Sequence, residues 1–105
     1  MAEAGIARSK GSFVITVLFA VTAQAKDSFR AAVLENAALS LQREAGCEVF
    51  DVCESATAPE FFLYEVYGSE QDFQAHLATE HFKQFDKLCS TWVTAKQVTR
   101  YARLG

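Results

Sequence analysis

The sequence predicts an α+β domain built in the order β-α-β-β-α-β, and three features predict it. A β-branched apolar run from Phe13 to Val21 is followed by a stretch of helical period; two short apolar runs then flank a loop containing Pro59; a second helical stretch leads into an alternating C-terminal segment. With 105 residues the chain can bury one core and not two. Residues 1–12 read as a flexible N-terminal arm, and residues 13–105 as a single domain.

Phe13 to Val21 follows Arg8 and Lys10 and precedes Ala23-Gln24-Ala25, so the region imitates the zones of a secretory signal. Its composition, Phe-Val-Ile-Thr-Val-Leu-Phe-Ala-Val, is that of a strand in the middle of a sheet, and the strand is the reading adopted. No segment is long enough to span a bilayer as a helix.

Lys26 to Ala45 has helical propensity, with Asp27 or Ser28 available as N-cap and Gly46 just beyond the end. Phe29, Val33, Asn36 and Ser40 share its narrow inner stripe, which places an amide among apolar neighbours. Asn36 is therefore either a structural hydrogen-bonding group or a pocket residue.

Cys47 to Glu54 is the second strand and Phe61 to Tyr67 the third, joined as a hairpin through Ser55 to Glu60. In the third strand Phe61, Leu63, Glu65 and Tyr67 point one way, and Phe62, Tyr64 and Val66 the other. Both faces are largely apolar, and Glu65 stands among large hydrophobes.

Ser69 caps a helix that starts with Glu70 and Asp72 in its first turn. Phe73, His76 and Leu77 share a face, Thr79-Glu80 marks a break, and His81, Phe85, Leu88 and Trp92 form the stripe of the next helical segment. Ala95 to Ala102 alternates and closes the sheet. This order is the ferredoxin-like arrangement, an antiparallel sheet with helices on one face. The first and third strands are apolar on both faces, so the free face calls for a second copy of the sheet, giving a homodimer packed face to face.

Composition limits function. A net charge of −3 with scattered basic residues argues against a nucleic-acid partner. Half the residues are hydrophobic and 12% aromatic, including nine Phe, which again asks for a covering subunit. Cys47, Cys53 and Cys89 form no CxxC pair and read as reduced, structural thiols of a cytoplasmic protein. On a regular strand Cys47 and Cys53 would share a face roughly 20 Å apart. There is no phosphate loop, no GxSxG and no flavin or nicotinamide fingerprint.

His76, His81 and Glu65 are the candidates for chemistry. An imidazole titrates near neutrality, and a carboxylate in an apolar wall can orient it or carry a raised pKa. Structural pairing of Glu65 with a histidine would answer the same burial cost. His76 and His81 are five residues apart, roughly 140° around a continuous helix, so a shared metal needs the bend at Thr79 and Glu65 as third ligand. No other motif points to a metal, and none is assigned.

Asn36, Gly46-Cys47, Phe50-Asp51-Val52, the Phe62–Tyr67 run FLYEVY, and Phe73, Ala75-His76, Thr79 and His81-Phe82 together resemble the antibiotic biosynthesis monooxygenase family, across roughly Phe13 to Tyr101. The likeness is to the branch of quinol monooxygenases and of the isomerase acting on phosphorylated autoinducer-2. It implies a dimeric α/β barrel and an enzyme that oxidises a quinol or related aromatic small molecule with O₂, without metal, flavin or other cofactor. His76 or His81 would be the base, Glu65 would orient a histidine, and Asn36 would hold the oxyanion. Phe50, Leu63, Tyr67, Phe85 and Trp92 would wall the substrate. An isomerase of a phosphorylated dione, with Lys83, Lys87, Lys96 or Arg100 meeting the phosphate, and a non-catalytic small-molecule-binding dimer are the alternatives.

Overall fold

A computed structural model describes residues 13–105; the arm expected over residues 1–12 lies outside the described residues. Strand β1 (Phe13–Val21) leads through a single 3₁₀ turn (Ala23–Ala25) into helix α1 (Lys26–Arg43). Strands β2 (Cys47–Glu54) and β3 (Glu60–Tyr67) follow, then α2 (Glu70–Leu77), α3 (Glu80–Trp92) and β4 (Val93–Ala102). The sheet order is β2-β3-β1-β4, antiparallel throughout, which is the ferredoxin-like order.

The core forms where the helices meet one face of the sheet. Ile15, Val17, Phe19 and Val21 of β1 and Phe61, Leu63 and Tyr67 of β3 pack against Phe29, Val33 and Ala37 of α1 and Phe85 and Cys89 of α3. Phe29 is central, with its ring 5.0 Å from Phe19, 4.8 Å from Phe61 and 5.7 Å from Phe85. The expected inner stripe of α1 is borne out: Phe29, Val33, Asn36 and Ser40 are all buried. The helix starts at Lys26 without a side-chain cap, so neither Asp27 nor Ser28 serves as N-cap, and it ends at Arg43, two residues sooner than expected.

Two departures from a regular pattern matter for the site. A bulge between Cys47 and Val49 shifts the β2–β3 register, so that Cys47 pairs with Tyr67 while Phe50 pairs with Glu65. Cys47 and Phe50 then both enter the core, whereas Cys53 is exposed opposite Phe62, and the two cysteines do not share a face. On α3 the buried residues are Phe85 and Cys89, and Leu88 is 46% exposed. The helix is turned so that Phe82, rather than Leu88, continues the inner surface.

The far face of the sheet carries Leu18, Phe62 and Tyr101, which are 42%, 41% and 53% exposed. Among the described residues no helix is long and apolar enough to cross a membrane.

Candidate active site

A cavity of about 270 Å³ lies between the sheet and the helices. Its floor is Ile15, Val17 and Phe19 of β1 with Leu63 and Glu65 of β3. Phe50 closes the β2 side, and Phe73, Phe82 and Phe85 come from α2 and α3. Lys96 and Val98 of the edge strand β4 line the remaining side, and Val98 is 50% exposed, which places the mouth there. Four polar side chains face this apolar space: Asn36, Glu65, His76 and Lys96.

The break between α2 and α3 brings the histidines together. Helix α2 ends at Leu77, and Thr79 forms the corner: its hydroxyl donates to the His76 carbonyl at 2.7 Å and accepts the Phe82 amide at 3.2 Å, capping α3. The two imidazole centroids are then 6.2 Å apart.

The carboxylate between them is Glu44. His76 Nδ1 lies 3.0 and 2.9 Å from its two oxygens, and His81 Nε2 lies 2.5 Å from Oε2. A carboxylate only accepts, so both ring nitrogens facing it are N–H donors, which leaves Nε2 of His76 and Nδ1 of His81 with their lone pairs. Neither of those nitrogens has a hydrogen-bond partner among the described residues. All three side chains are withdrawn from solvent, 10% exposed for Glu44, 2% for His76 and 7% for His81. Burial holds the His76 pKa below the ordinary imidazole value, and the hydrogen bond and charge of Glu44 oppose that shift.

Sequence reasoning passed over Glu44, although one signal was present. It is an acid at a helix C-terminus, where the macrodipole disfavours negative charge, so its position asks for a compensating partner. The chain leaves the helix there in an extended conformation, φ −105° and ψ 109°, and Gly46 follows in tight contact with α2. A β-carbon on Gly46 would lie 2.3 Å from Cγ of Asp72, so the glycine lets the end of α1 approach the helix that carries His76.

Glu65 does not orient a histidine. Its Oε1 accepts the Tyr67 hydroxyl at 2.6 Å, two residues along the same strand face. Burial raises its pKa to about 7; the Tyr67 hydrogen bond and Lys96 pull it down, while Glu44 adds to the rise. The ligand set imagined as His76, His81 and Glu65 is corrected likewise, because the carboxylate beside the two rings is Glu44.

The other expected residues divide. Asn36, Phe50, Leu63 and Phe85 line the cavity. Tyr67 is fully buried, is not among the residues lining the cavity, and donates its hydroxyl to Glu65. His81 opens instead onto a second cleft of about 110 Å³ between α1 and α3, which Asn36 and Phe85 also border. Trp92 does not reach the cavity; it packs against the core edge at the end of α3, where its carbonyl accepts the Thr22 amide. Asn36 Oδ1 is buried with no hydrogen-bond partner among the described residues, so this acceptor is free for a bound molecule.

Comparison with known proteins agrees with this architecture. A sequence model described as "Antibiotic biosynthesis monooxygenase" matches residues 12–88. The solved structure of a "putative antibiotic biosynthesis monooxygenase" from Nitrosomonas europaea is similar at 30% identity and a TM-score of 0.84, over 90% of this chain and 93% of that one. Rv0793 from Mycobacterium tuberculosis, at 24% identity and a TM-score of 0.82, covers 90% and 96% of the two chains and shares the fold. A Caulobacter crescentus protein described in the same words as the Nitrosomonas one, at 20% identity and a TM-score of 0.86 over 91% and 92%, also shares it. No curated protein matches the sequence.

Proposed function

Since the chain belongs to the antibiotic biosynthesis monooxygenase family, we propose that it is a cofactor-independent monooxygenase that oxidises a quinol or related phenol with O₂. The observation that carries this reading is the state of His76. Its Nδ1–H is held by Glu44, so the nitrogen left to accept a proton is Nε2, on a residue that lines an apolar cavity.

In this reading a phenolic O–H bond breaks and its proton passes to His76 Nε2. Glu44 compensates the imidazolium that forms, and the Asn36 amide donates an Nδ2–H to the phenolate oxygen. The electron-rich phenolate supplies electrons to O₂, and the surrounding Phe50, Phe73, Phe82 and Phe85 keep water from the reacting pair. Glu65, with its pKa raised to about 7, serves both as acid and as carboxylate near neutral pH.

Oxygen uptake with a panel of hydroquinones tests the proposal. Wild type should consume O₂, and His76→Ala and Glu65→Gln should each lower the rate. Uptake indifferent to both substitutions would reject the site. The isomerase reading keeps one supporting observation, the cation of Lys96 on the cavity wall. Turnover of a phosphorylated dione in the absence of O₂ would favour it.

The working form in this reading is a homodimer joined through the face bearing Leu18, Phe62 and Tyr101. The three free thiols support a cytoplasmic setting.

A further inference from the structure

Glu44, His76 and His81 form a ligand set as well as a hydrogen-bonded group. Each offers one donor atom, and these atoms all lie within 4.8 Å of one another. They come from the end of α1, the end of α2 and the first turn of α3, so the cluster exists only in the folded chain. We propose that it is an exchangeable site for a first-row transition ion of the zinc or copper class, and that an ion seated there masks the base at His76. The masking half rests on the phenol-oxidation reading; the binding half does not.

The donors select the ion. Two imidazoles with a single carboxylate suit zinc, copper, nickel or ferrous iron, whereas calcium and magnesium require a shell of oxygens. His81 Nε2 and His76 Nδ1 stand 2.5 and 2.9 Å from Glu44 Oε2. A tetrahedral ion with bonds of about 2.0–2.1 Å holds its donors roughly 3.3 Å apart, so the Glu44 carboxylate must turn outward from the rings and the imidazole nitrogens, which lie within 4.8 Å of each other, must draw in around the ion. The Ser40 hydroxyl, fully buried and 3.5 Å from His76 Nδ1, offers a further oxygen beside the cluster.

The ion has a way in and a reason to leave. His81 borders the cleft between α1 and α3, whose rim includes Glu35 and Gln84, so a hydrated cation reaches the cluster without crossing the substrate cavity. His76 Nε2 and His81 Nδ1 lack acceptors among the described residues. Ligating histidines usually donate from that second nitrogen, and losing such a partner weakens binding by about 10–100-fold, which suits an ion that comes and goes.

Masking follows from tautomer counting. In the metal-free site His76 carries its proton on Nδ1 and keeps the Nε2 lone pair for substrate. An ion on Nδ1 takes that lone pair, the single proton moves to Nε2, and the ring becomes a hydrogen-bond donor toward the cavity. No proton is gained or lost overall, and the base is withdrawn.

EDTA-treated full-length protein titrated with Zn²⁺ and with Cu²⁺ tests both halves. Calorimetry should give one ion per chain with a raised Tm, and His81→Asn and Glu44→Gln, which alter ligands themselves, should each weaken binding by at least the roughly 100-fold that losing a ligand's hydrogen-bond partner can cost. Copper EPR should show nitrogen coupling in wild type that His81→Asn reduces. Circular dichroism of each variant, with His81→Gln as a second replacement, separates lost ligation from lost folding. No rise in Tm, or equal affinity in wild type and both variants, overturns the site. Zinc should stop phenol-dependent O₂ uptake, with EDTA restoring it. Uptake that persists at saturating zinc overturns the masking alone, and histidine-dependent binding with no uptake under any condition overturns the phenol reading while the metal site stands.

Discussion

Glu44→Gln isolates the carboxylate from the space it fills. Glutamine keeps the shape but presents one acceptor and one donor group, whereas the present arrangement requires two imidazole N–H donors to find acceptors on the same side chain. With the amide oxygen in the place of Oε2 it can accept both N–H groups, but its –NH2 then stands where Oε1 is, 3.0 Å from His76 Nδ1. With the amide reversed His81 meets the –NH2 instead, so either way one ring faces a donor and must turn or switch tautomer. Each charge-assisted bond is worth about 1.5–3 kcal/mol against about 0.5–1.5 for a neutral one, and removing a nearly buried charge returns part of the difference. The net loss is therefore ~1–2 kcal/mol, which for a domain near 100 residues lowers Tm by about 4–16 °C. If His76 is the ring that switches, its Nε2 becomes protonated and phenol oxidation falls by about 10²–10⁴-fold, the range of a lost general base. Metal-free protein should be compared by thermal melting, O₂ uptake and ¹⁵N NMR of the imidazoles. Wild type should show the Nδ1–H form of His76, and the variant should show a changed tautomer at one of the two rings. A Tm within about 1 °C of wild type, well under the shift expected for 1 kcal/mol in a domain of this size, together with unchanged ring nitrogens, would refute the claim that Glu44 organises the pair.

Three further outcomes follow from single groups and one from the far face of the sheet. Glu65 has a folded pKa raised above its unfolded value, so its stabilising contribution is complete at low pH and is lost as pH climbs from the ordinary carboxylate range through about 7. Glu65→Gln should accordingly be more stable than wild type at pH 8, by ~1–3 kcal/mol in urea melts, with the gain shrinking toward pH 5; a gain independent of pH would contradict the assignment. His76 acts with the opposite sign: its lowered pKa means stability present above the unfolded value and lost as pH falls, so His76→Phe should flatten the acid limb of the melting curve. Asn36→Leu removes a buried acceptor that lacks a partner and should hold or raise stability by ~1 kcal/mol while oxygen uptake drops, and a destabilised variant would mean that Oδ1 is satisfied in solution. Light scattering should give twice the 11.6 kDa chain mass at micromolar concentration. Phe62→Asp should give the monomer, since a charge on that exposed ring's site penalises face-to-face packing, and a wild-type monomer would remove the basis for the interface.

How far the sequence carries depends on the range over which each feature is determined. Phe29, Val33, Asn36 and Ser40 were placed correctly because a helix of regular period fixes which residues share a face, and the core rewards that face with burial. The corner at Thr79 was legible too, since a threonine at the N-cap with an acid in the first turn is a local helix-start signal. The side of β2 that Phe50 takes was not, because the bulge at Cys47–Val49 reverses parity and is set by pairing with β3. The rotation of α3 escaped for the same reason. His81, Phe85, Leu88 and Trp92 fit a stripe as well as Phe82, Phe85 and Cys89 do, and only the helix's neighbours decide between them.

Glu44 combines both kinds of information. Two histidines in an apolar setting need an acceptor, which the sequence states; Glu65 was the acid nearest to hand along strand β3, and there its demand is met by Tyr67 at a separation of two residues. The acid that reaches the rings lies more than thirty positions before them, at a helix end where its charge is locally unfavourable. A residue that opposes its own helix dipole is held there by something distant, and here the distant partners are the imidazoles it orients. The mismatch between a side chain and its local surroundings is thus the mark of the site, and the same argument applies to the unpaired amide of Asn36 and the protonatable carboxyl of Glu65. All three groups stand against the apolar cavity or beside His76, so replacing them one at a time, by Asn36→Leu, Glu65→Gln and Glu44→Gln, should trade function for stability at Asn36 and Glu65 but lose both at Glu44.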